Sequence, residues 1–397
     1  MRYRTPHWRF GMTTPTFSVR TQIPQSPNGL TVSLAALRAA GAPILDLTLS
    51  NPTRAGIFDD ESWVTHLARS QSATYEPAPL GLKSARSAVA RYLRQKGIVA
   101  EVEQIVLCAS TSEAYSYLFK LLTNPGDTVL FPRPSYPLLE HLAILENVRL
   151  SHYNIRYDGA YYIDTDSVKR GLSGSCKAIV LVSPNNPTGS CTCDQELETL
   201  VASGVPLISD EVFADFPLRP GQSPISTVLS AQSSLVFSLG GLSKTAGLPQ
   251  LKLGWIVVGG PERIRREAVA RLELICDTFL SLNTPVQVAL PELLEHSTQR
   301  RARIQERLLH NYQLLEQRVR DTPVSLRATQ GGWSAVLQLP NLALEDWSLH
   351  LLTQANLLVQ PGWFYDDTQE GIVVLSLLTP VHEFSEGLER LVNAVER

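Results

Sequence analysis

The chain has 397 residues, 44% of them hydrophobic and 18% charged, with a formal net charge of −3. That length exceeds one small core and suits two lobes. So small a net charge gives no electrostatic reason to expect nucleic acid or an anionic membrane as partner, and no apolar run approaches the roughly 18 residues of a membrane span.

Arg2, Arg4, Arg9 and Arg20 make the beginning of the chain basic, but no apolar run follows, which argues against a secretory signal; Met12 offers an alternative start. Five cysteines are too few and too scattered for a disulfide framework, and their odd number fits a reducing, cytoplasmic setting. Cys191 and Cys193 lie close together with no second Cys or His pair at zinc spacing, so they read as free thiols in a loop and no metal is expected. Further along, Leu82, Ala85, Val89, Tyr92 and Leu93 mark one face of a helix ended by Gly97, and a second helix starts near Ser112 and stops before Pro125-Gly126. Apolar runs at Ile105–Cys108, Thr128–Phe131, Ala178–Ser183, Val205–Ser209, Leu235–Leu239 and Leu253–Val258 do not alternate, which predicts buried strands. Strand, helix and strand in succession give an α/β domain with a mostly parallel sheet. From Pro291 to about Asp321 the pattern is one long Arg- and Glu-rich helix, followed by Gly331-Gly332 and alternating strand and helix signals. The expected division is an arm and part of a smaller α+β domain over 1–55, a large domain over 56–290, and the rest of the small domain over 291–397.

Ligands of open parallel sheets collect beyond the carboxyl ends of the strands. Three predicted strands end in polar residues: Ser183-Pro184-Asn185-Asn186-Pro187-Thr188-Gly189, then Ser209-Asp210-Glu211, then Gly240 through Lys244. Each has a plainer reading. Asp210 suits a helix N-cap, Lys244 a solvated surface, and the Asn-Pro segment a turn. Together they meet the needs of one cofactor. A lysine amine forms a Schiff base with an aldehyde, a carboxylate keeps a pyridine nitrogen protonated, and an amide meets the ring oxygen.

At these residues the sequence resembles the aminotransferase class I/II family, fold type I of the pyridoxal-phosphate enzymes. The likeness runs in order from about Leu49 to Ser376. Asn186-Pro187-Thr188-Gly189 resembles the family's NPTG motif, Ser209-Asp210-Glu211-Val212 the segment of the pyridinium aspartate, and Leu242-Ser243-Lys244 with Gly254 the Schiff-base lysine region. Gly331-Gly332 and Pro361-Gly362 are similar to small-domain landmarks. The resemblance implies pyridoxal 5′-phosphate on Lys244, with Asp210 at the pyridine nitrogen and Asn186 at the ring oxygen. It implies further that Tyr136 stacks on the ring, and that Lys252 stands in for a phosphate-binding arginine. Ser110, Thr111 and Ser112 open a helix whose free N–H groups and positive end suit a phosphate; a simple cap at Ser112 is compatible with that role. It also implies a homodimer in which Tyr75 reaches the phosphate of the neighbouring subunit, with Asn283 and Thr284 near the interface.

The sequence departs from the family at Lys252, at Gly241 (usually Ser or Thr) and at Phe213 (usually Tyr). It departs also at Val374, where the family places the arginine that clamps a substrate carboxylate. Arg54, in Ser50-Asn51-Pro52-Thr53-Arg54, is the expected replacement, its planar fork suited to a carboxylate. The expected activity is transamination between a small amine or amino acid and a keto or aldehyde acceptor, with an atypical substrate. A lyase, cyclase or racemase of the same fold is the alternative. A cofactor-binding regulator is disfavoured, because the stretch before Leu49 leaves no room for a DNA-binding helix-turn-helix.

Overall fold

The computed structural model describes residues 17–22, 27–58, 61–172, 174–219, 226–340 and 346–396. Arg2, Arg4, Arg9 and Met12 lie outside them. Arg20 lies within, its guanidinium donating to the Leu145 carbonyl at 2.9 Å.

Helix α1 (Gly29–Ala39) and the short strand β1 (Leu45–Asp46) lead through a crossing segment to α2 (Lys83–Gln95). The large domain then runs β2 (Ile105–Cys108), α3 (Thr111–Leu122), β3 (Thr128–Arg133), α4 (Leu138–Leu145), β4 (Arg149–Tyr157), β5 (Tyr161–Ile163), α5 (Thr165–Gly171) and β6 (Cys176–Val182). It continues with α6 (Asp194–Val201), β7 (Leu207–Asp210), β8 (Val236–Gly241), α7 (Leu242–Thr245), β9 (Gly254–Gly259) and α8 (Glu262–Phe279). Helix α9 (Thr284–Val319) carries the chain into β10 (Ser325–Leu326), β11 (Ser334–Gln338), α10 (Trp347–Ala355), β12 (Leu357–Leu358), β13 (Gln360–Pro361), β14 (Ile372–Ser376) and α11 (Val381–Val395).

Among the described residues the large sheet has eight strands in the order β2-β9-β8-β7-β6-β3-β4-β5. The run β8-β7-β6-β3-β4 is parallel, and β9 is antiparallel to both its neighbours. The apolar runs are buried because both faces are covered. Ile179, Leu181, Leu207 and Val236 face a core completed by α2 and the start of α9, while Val180, Ile208 and Phe237 face one completed by α3 and α8. Each such side chain taken fully out of water contributes about 1.5–3 kcal/mol before entropy is charged. Strands β4 and β5 were not expected from the apolar runs. β4 lies next to the sheet edge, only its central Tyr153 is fully buried, and its polar residues interrupt any continuous apolar signal.

The long helix expected from Pro291 begins earlier, at Thr284. Asn283 caps it by accepting from the Val286 N–H at 3.0 Å, Pro285 occupies the first turn, and Pro291 sits inside the helix without ending it. The expected boundary at 290/291 therefore falls within a single element. The first turns of α9 bury Val286, Ala289, Leu290 and Leu293 in the large domain, and later turns bury Ile304, Leu308 and Leu315 in the small one.

The small domain carries a four-stranded sheet, β10-β11-β14-β13, and β1 pairs in parallel with β12, so the N-terminal part of the chain joins it. The crossing segment is tied at both ends. The Leu47 and Leu49 carbonyls accept from the Ser376 N–H (2.7 Å) and hydroxyl (2.5 Å), while Phe58 lies so close to Gly247 that a Cβ there would stand 2.9 Å from its ring. Residues 47–58 thus span from the end of β14 to the turn that carries Lys244.

Candidate active site

Register brings the three strand ends together. Val182 pairs with Asp210 and Asp210 with Leu239, so the segments after β6, β7 and β8 emerge side by side at one edge. Asp210 precedes a turn and caps no helix. Its Oδ1 accepts from the Val212 N–H at 3.2 Å, and its Oδ2 from the Tyr115 hydroxyl at 3.4 Å. Burial raises this carboxyl to about 6, against the pull of those two hydrogen bonds and of the Lys244 charge. Lys244 is not a solvated surface lysine. Burial lowers its ammonium to about 8, with Asp210 opposing, and Nζ lies 4.6 Å from the Trp333 ring centroid and 5.4 Å from that of Phe213. An amine titrating there is neutral in a useful fraction near physiological pH, as a nucleophile or proton carrier requires.

The two adjacent asparagines have different jobs. Asn185 is buried and spent on architecture. Its Nδ2 donates to the Pro134 carbonyl (3.1 Å) and Thr188 (2.9 Å), and its Oδ1 accepts from Ser135 (3.2 Å). Asn186 is only partly buried, and its one side-chain bond among the described residues is a long 3.5 Å contact from the Ser334 hydroxyl to Oδ1. Its amide donor is left for a ligand.

Helix α3 starts beside this edge. Ser110, not Ser112, is the N-cap, accepting from the Glu113 N–H at 3.2 Å, which leaves the first-turn N–H groups of Thr111 and Ser112 facing outward from the helix end. A Cβ on Gly254 would lie 3.2 Å from the Ser110 carbonyl carbon and 3.3 Å from the Thr111 nitrogen, so glycine is what lets β9 approach the helix start. Lys252 is exposed in a left-handed turn (φ 49°) just before Gly254. At Gly241 the backbone of β9 passes close by. A Cβ there would meet the Leu253 carbonyl and the Gly254 Cα, each at 3.1 Å.

Tyr136 is 45% exposed over the same edge, and its hydroxyl is raised by burial and by the Asp210 charge. Tyr75 is 72% exposed and lines a surface cleft with Tyr117, Leu282 and Thr284, a cleft whose lining includes neither Asp210 nor Lys244. Arg54 is exposed on a turn closed by its N–H to the Asn51 carbonyl at 3.1 Å. Val374 packs with Val336, Ile372 and Tyr365 in a small buried cluster. In the β11–β14 register, Ser334, Val336, Val374 and Ser376 share one face, and Ser334 on that face reaches Asn186. These four side chains are neutral; the cation on that face, Arg327 opposite Val336, is turned to Gln338, Gln369 and Asp367.

Sequence reasoning missed Tyr115, Trp333 and Tyr365. Trp333 follows Gly331-Gly332 directly, which was the available signal; Tyr115 looks like any apolar position of an amphipathic helix.

A deep lysine of lowered basicity, a carboxylate on the neighbouring strand end, a free amide and a glycine-cradled helix start fit pyridoxal 5′-phosphate group by group. With the sheet order and the shared small domain, they define a fold type I pyridoxal-phosphate enzyme. Residues 43–370 match the family model described as aminotransferase class I and II. A glutamate-pyruvate aminotransferase of Haemophilus influenzae is 31% identical over 288 residues, 71% of this chain and 70% of that protein. Nicotianamine aminotransferase B of Hordeum vulgare is 29% identical, the match spanning 67% of this chain and half (50%) of that protein's length. The solved structure of an Escherichia coli aminotransferase superposes with a TM-score of 0.84 at 21% identity, covering 97% of this chain and 99% of that one. The chain belongs to the aminotransferase class I and II family. It is a pyridoxal-phosphate-dependent aminotransferase.

Proposed function

We propose that the chain moves an amino group between an amino acid and a keto or aldehyde acceptor, and that it grips the carboxylate from the crossing segment, through Arg54, rather than from β14. The observation that carries this reading is the neutral set of side chains around Val374 beside Asn186, together with a segment tied at Ser376 on one side and packed on Gly247 on the other. A buried carboxylate without a cationic partner is costly, and Arg54 is the arginine of that segment.

When bound, pyridoxal phosphate supplies the aldehyde that takes up the amino group and the ring that withdraws electrons from the substrate carbon. In this reading Lys244 holds the cofactor and, once released from it, moves the proton at the substrate carbon. Asp210 fixes the pyridine nitrogen as its charged partner, Asn186 donates to the ring oxygen, and Tyr136 covers the ring. Ser110, Thr111, Ser112 and Lys252 receive the phosphate. A homodimer completes the site with the partner's Tyr75. Support for that comes from the exposure of Tyr75 and from its sharing one cleft with Thr284. All five cysteines are free, as a reducing cytoplasm favours, and no helix of the described residues is long and apolar enough to cross a membrane.

The test is Arg54→Ala assayed on carboxylated and carboxylate-free donors. Loss of a charge-assisted pair is expected to remove about 2–5 kcal/mol of transition-state binding for carboxylated donors and to spare the others. Equal kcat/KM on every carboxylated donor assigns Arg54 a structural role instead.

A further inference from the structure

Helix α3 meets the site twice. Its first turn is the phosphate end, and one turn further along Tyr115 points its hydroxyl at Asp210 Oδ2, 3.4 Å away. Tyr115 is 2% exposed, and Asp210 is the acceptor within reach of its hydroxyl among the described residues. A buried phenol rarely goes without a partner. The ring is fixed against Phe119, with centroids 6.0 Å apart, and Phe119 packs in turn on Phe131 of β3 at 6.1 Å. The hydroxyl therefore has little freedom to turn elsewhere.

We propose that Tyr115 is a positioning residue for Asp210, and that α3 thereby couples the phosphate end of the cofactor site to its pyridine-nitrogen end. This rests on the cofactor assignment made above. With Oδ1 accepting from the Val212 N–H at 3.2 Å and Oδ2 facing the phenol across a long 3.4 Å contact, the carboxylate plane is oriented from two elements. The phenol also donates to the charged form, so it opposes the burial that favours the neutral acid. The other groups that bear on Asp210 are few. Lys244 lowers it, and Glu211 raises it. Glu211 is itself occupied by Thr227, the Val228 N–H and Ser238, at 2.7, 2.8 and 2.8 Å. Tyr136 feels the Asp210 charge from the open side.

Settling of the phosphate on the first turn of α3 then fixes the helix whose Tyr115 orients Asp210. A phosphate-free analogue binds at a less ordered aspartate.

The test is a double-mutant cycle read by cofactor affinity, not turnover. Tyr115→Phe removes one oxygen from a packed ring and leaves its apolar contacts. Dissociation constants for pyridoxal phosphate are measured by visible absorbance for the wild type, Tyr115→Phe, Asp210→Asn and the double variant. Loss of a hydrogen bond to a charged group is expected to weaken binding about tenfold in the Asp210 background. In the Asp210→Asn background it is expected to change binding little. Carboxyl ¹³C titration of the cofactor-free protein, with Asp210 assigned by its loss in Asp210→Asn, is expected to move upward in Tyr115→Phe. Equal weakening in both backgrounds together with an unmoved Asp210 titration overturns the proposal. A wild type that forms no visible adduct overturns the cofactor assignment itself.

Discussion

Asp210 and Lys244 carry opposite ionisation costs in the cofactor-free protein. Asp210 is raised on folding, to about 6, so the stability linked to its neutral form is fully present below about pH 4 and is lost as pH rises through 6. Lys244 is lowered to about 8, so its contribution is present at high pH and is lost as pH falls through 8. At pH 9 the lysine is mostly neutral while the aspartate is charged and buried. Asp210→Asn is therefore expected to stabilise the cofactor-free protein at pH 9 by about 1–2 kcal/mol and to change little at pH 4, as read by urea unfolding. A variant less stable than wild type at pH 9 contradicts this. Residues of this kind were legible in the sequence because they end apolar strands, where a polar residue has no packing role. Residue type alone does not separate Asn185 from Asn186; the NPTG resemblance points to Asn186, and in the structure the Pro134 carbonyl occupies Asn185. Tyr115 was hidden for the opposite reason. A phenol on the buried face of a helix has the periodicity of core, and its single polar atom leaves no mark in the pattern.

Among the elements, the meeting of β9 with the start of α3 depends on one missing methyl group. Gly254→Ala sets a Cβ at 3.1 Å from the Gly240 carbonyl oxygen and 3.3 Å from the Thr111 nitrogen, both main-chain atoms with little freedom to yield. Overpacking of that size costs about 1–3 kcal/mol and displaces the helix end. The variant is expected to bind pyridoxal phosphate at least about tenfold more weakly, with a smaller loss for unphosphorylated pyridoxal, which feels the displaced helix only through Tyr115. Equal losses for both ligands would place the damage in the sheet rather than at the phosphate end. The strands flanking this junction were readable as apolar runs. The start of α9 was not, because Pro291 looks like a helix opening, whereas Asn283 and Pro285 had already provided one. Proline in a helix interior is disfavoured by sequence statistics and is tolerated here in a turn whose apolar face, Ala289, Leu290 and Leu293, is fully buried.

At the scale of the whole molecule, Tyr75, Leu274 and Phe279 are large apolar side chains left 72%, 72% and 53% exposed. Tyr75 shares its cleft with Leu282 and Thr284. A second copy of the chain is the proposed cover. If the partner's tyrosine completes each site, Tyr75→Ala and Lys244→Ala are each expected to be nearly inactive alone. After unfolding and refolding together they regain about a quarter of wild-type activity, since half the dimers are mixed and each of those has one intact site. No recovery in verified mixed dimers means that Tyr75 acts within its own chain or not at all. The presence of a second, smaller domain was legible from the change of texture in the last third of the chain; its boundary was not, since Pro291 lies inside α9. That one helix serves both cores was not, because no local pattern records which domain a buried face will meet.

The pairing of β1 with β12, and of Leu47 and Leu49 with Ser376, also bears on how the protein is made. Asp210 and Lys244 precede β12 and β14 in the chain, and the segment that spans from β14 to Gly247 precedes them all. The crossing segment docks on strands more than 300 residues further along, a longer separation than that between β2 and β9 in the large sheet. A nascent or truncated polypeptide ending after α9 carries the reactive lysine without its cover. Its reactive edge then lacks the docking partners of residues 47–49 in β12 and β14.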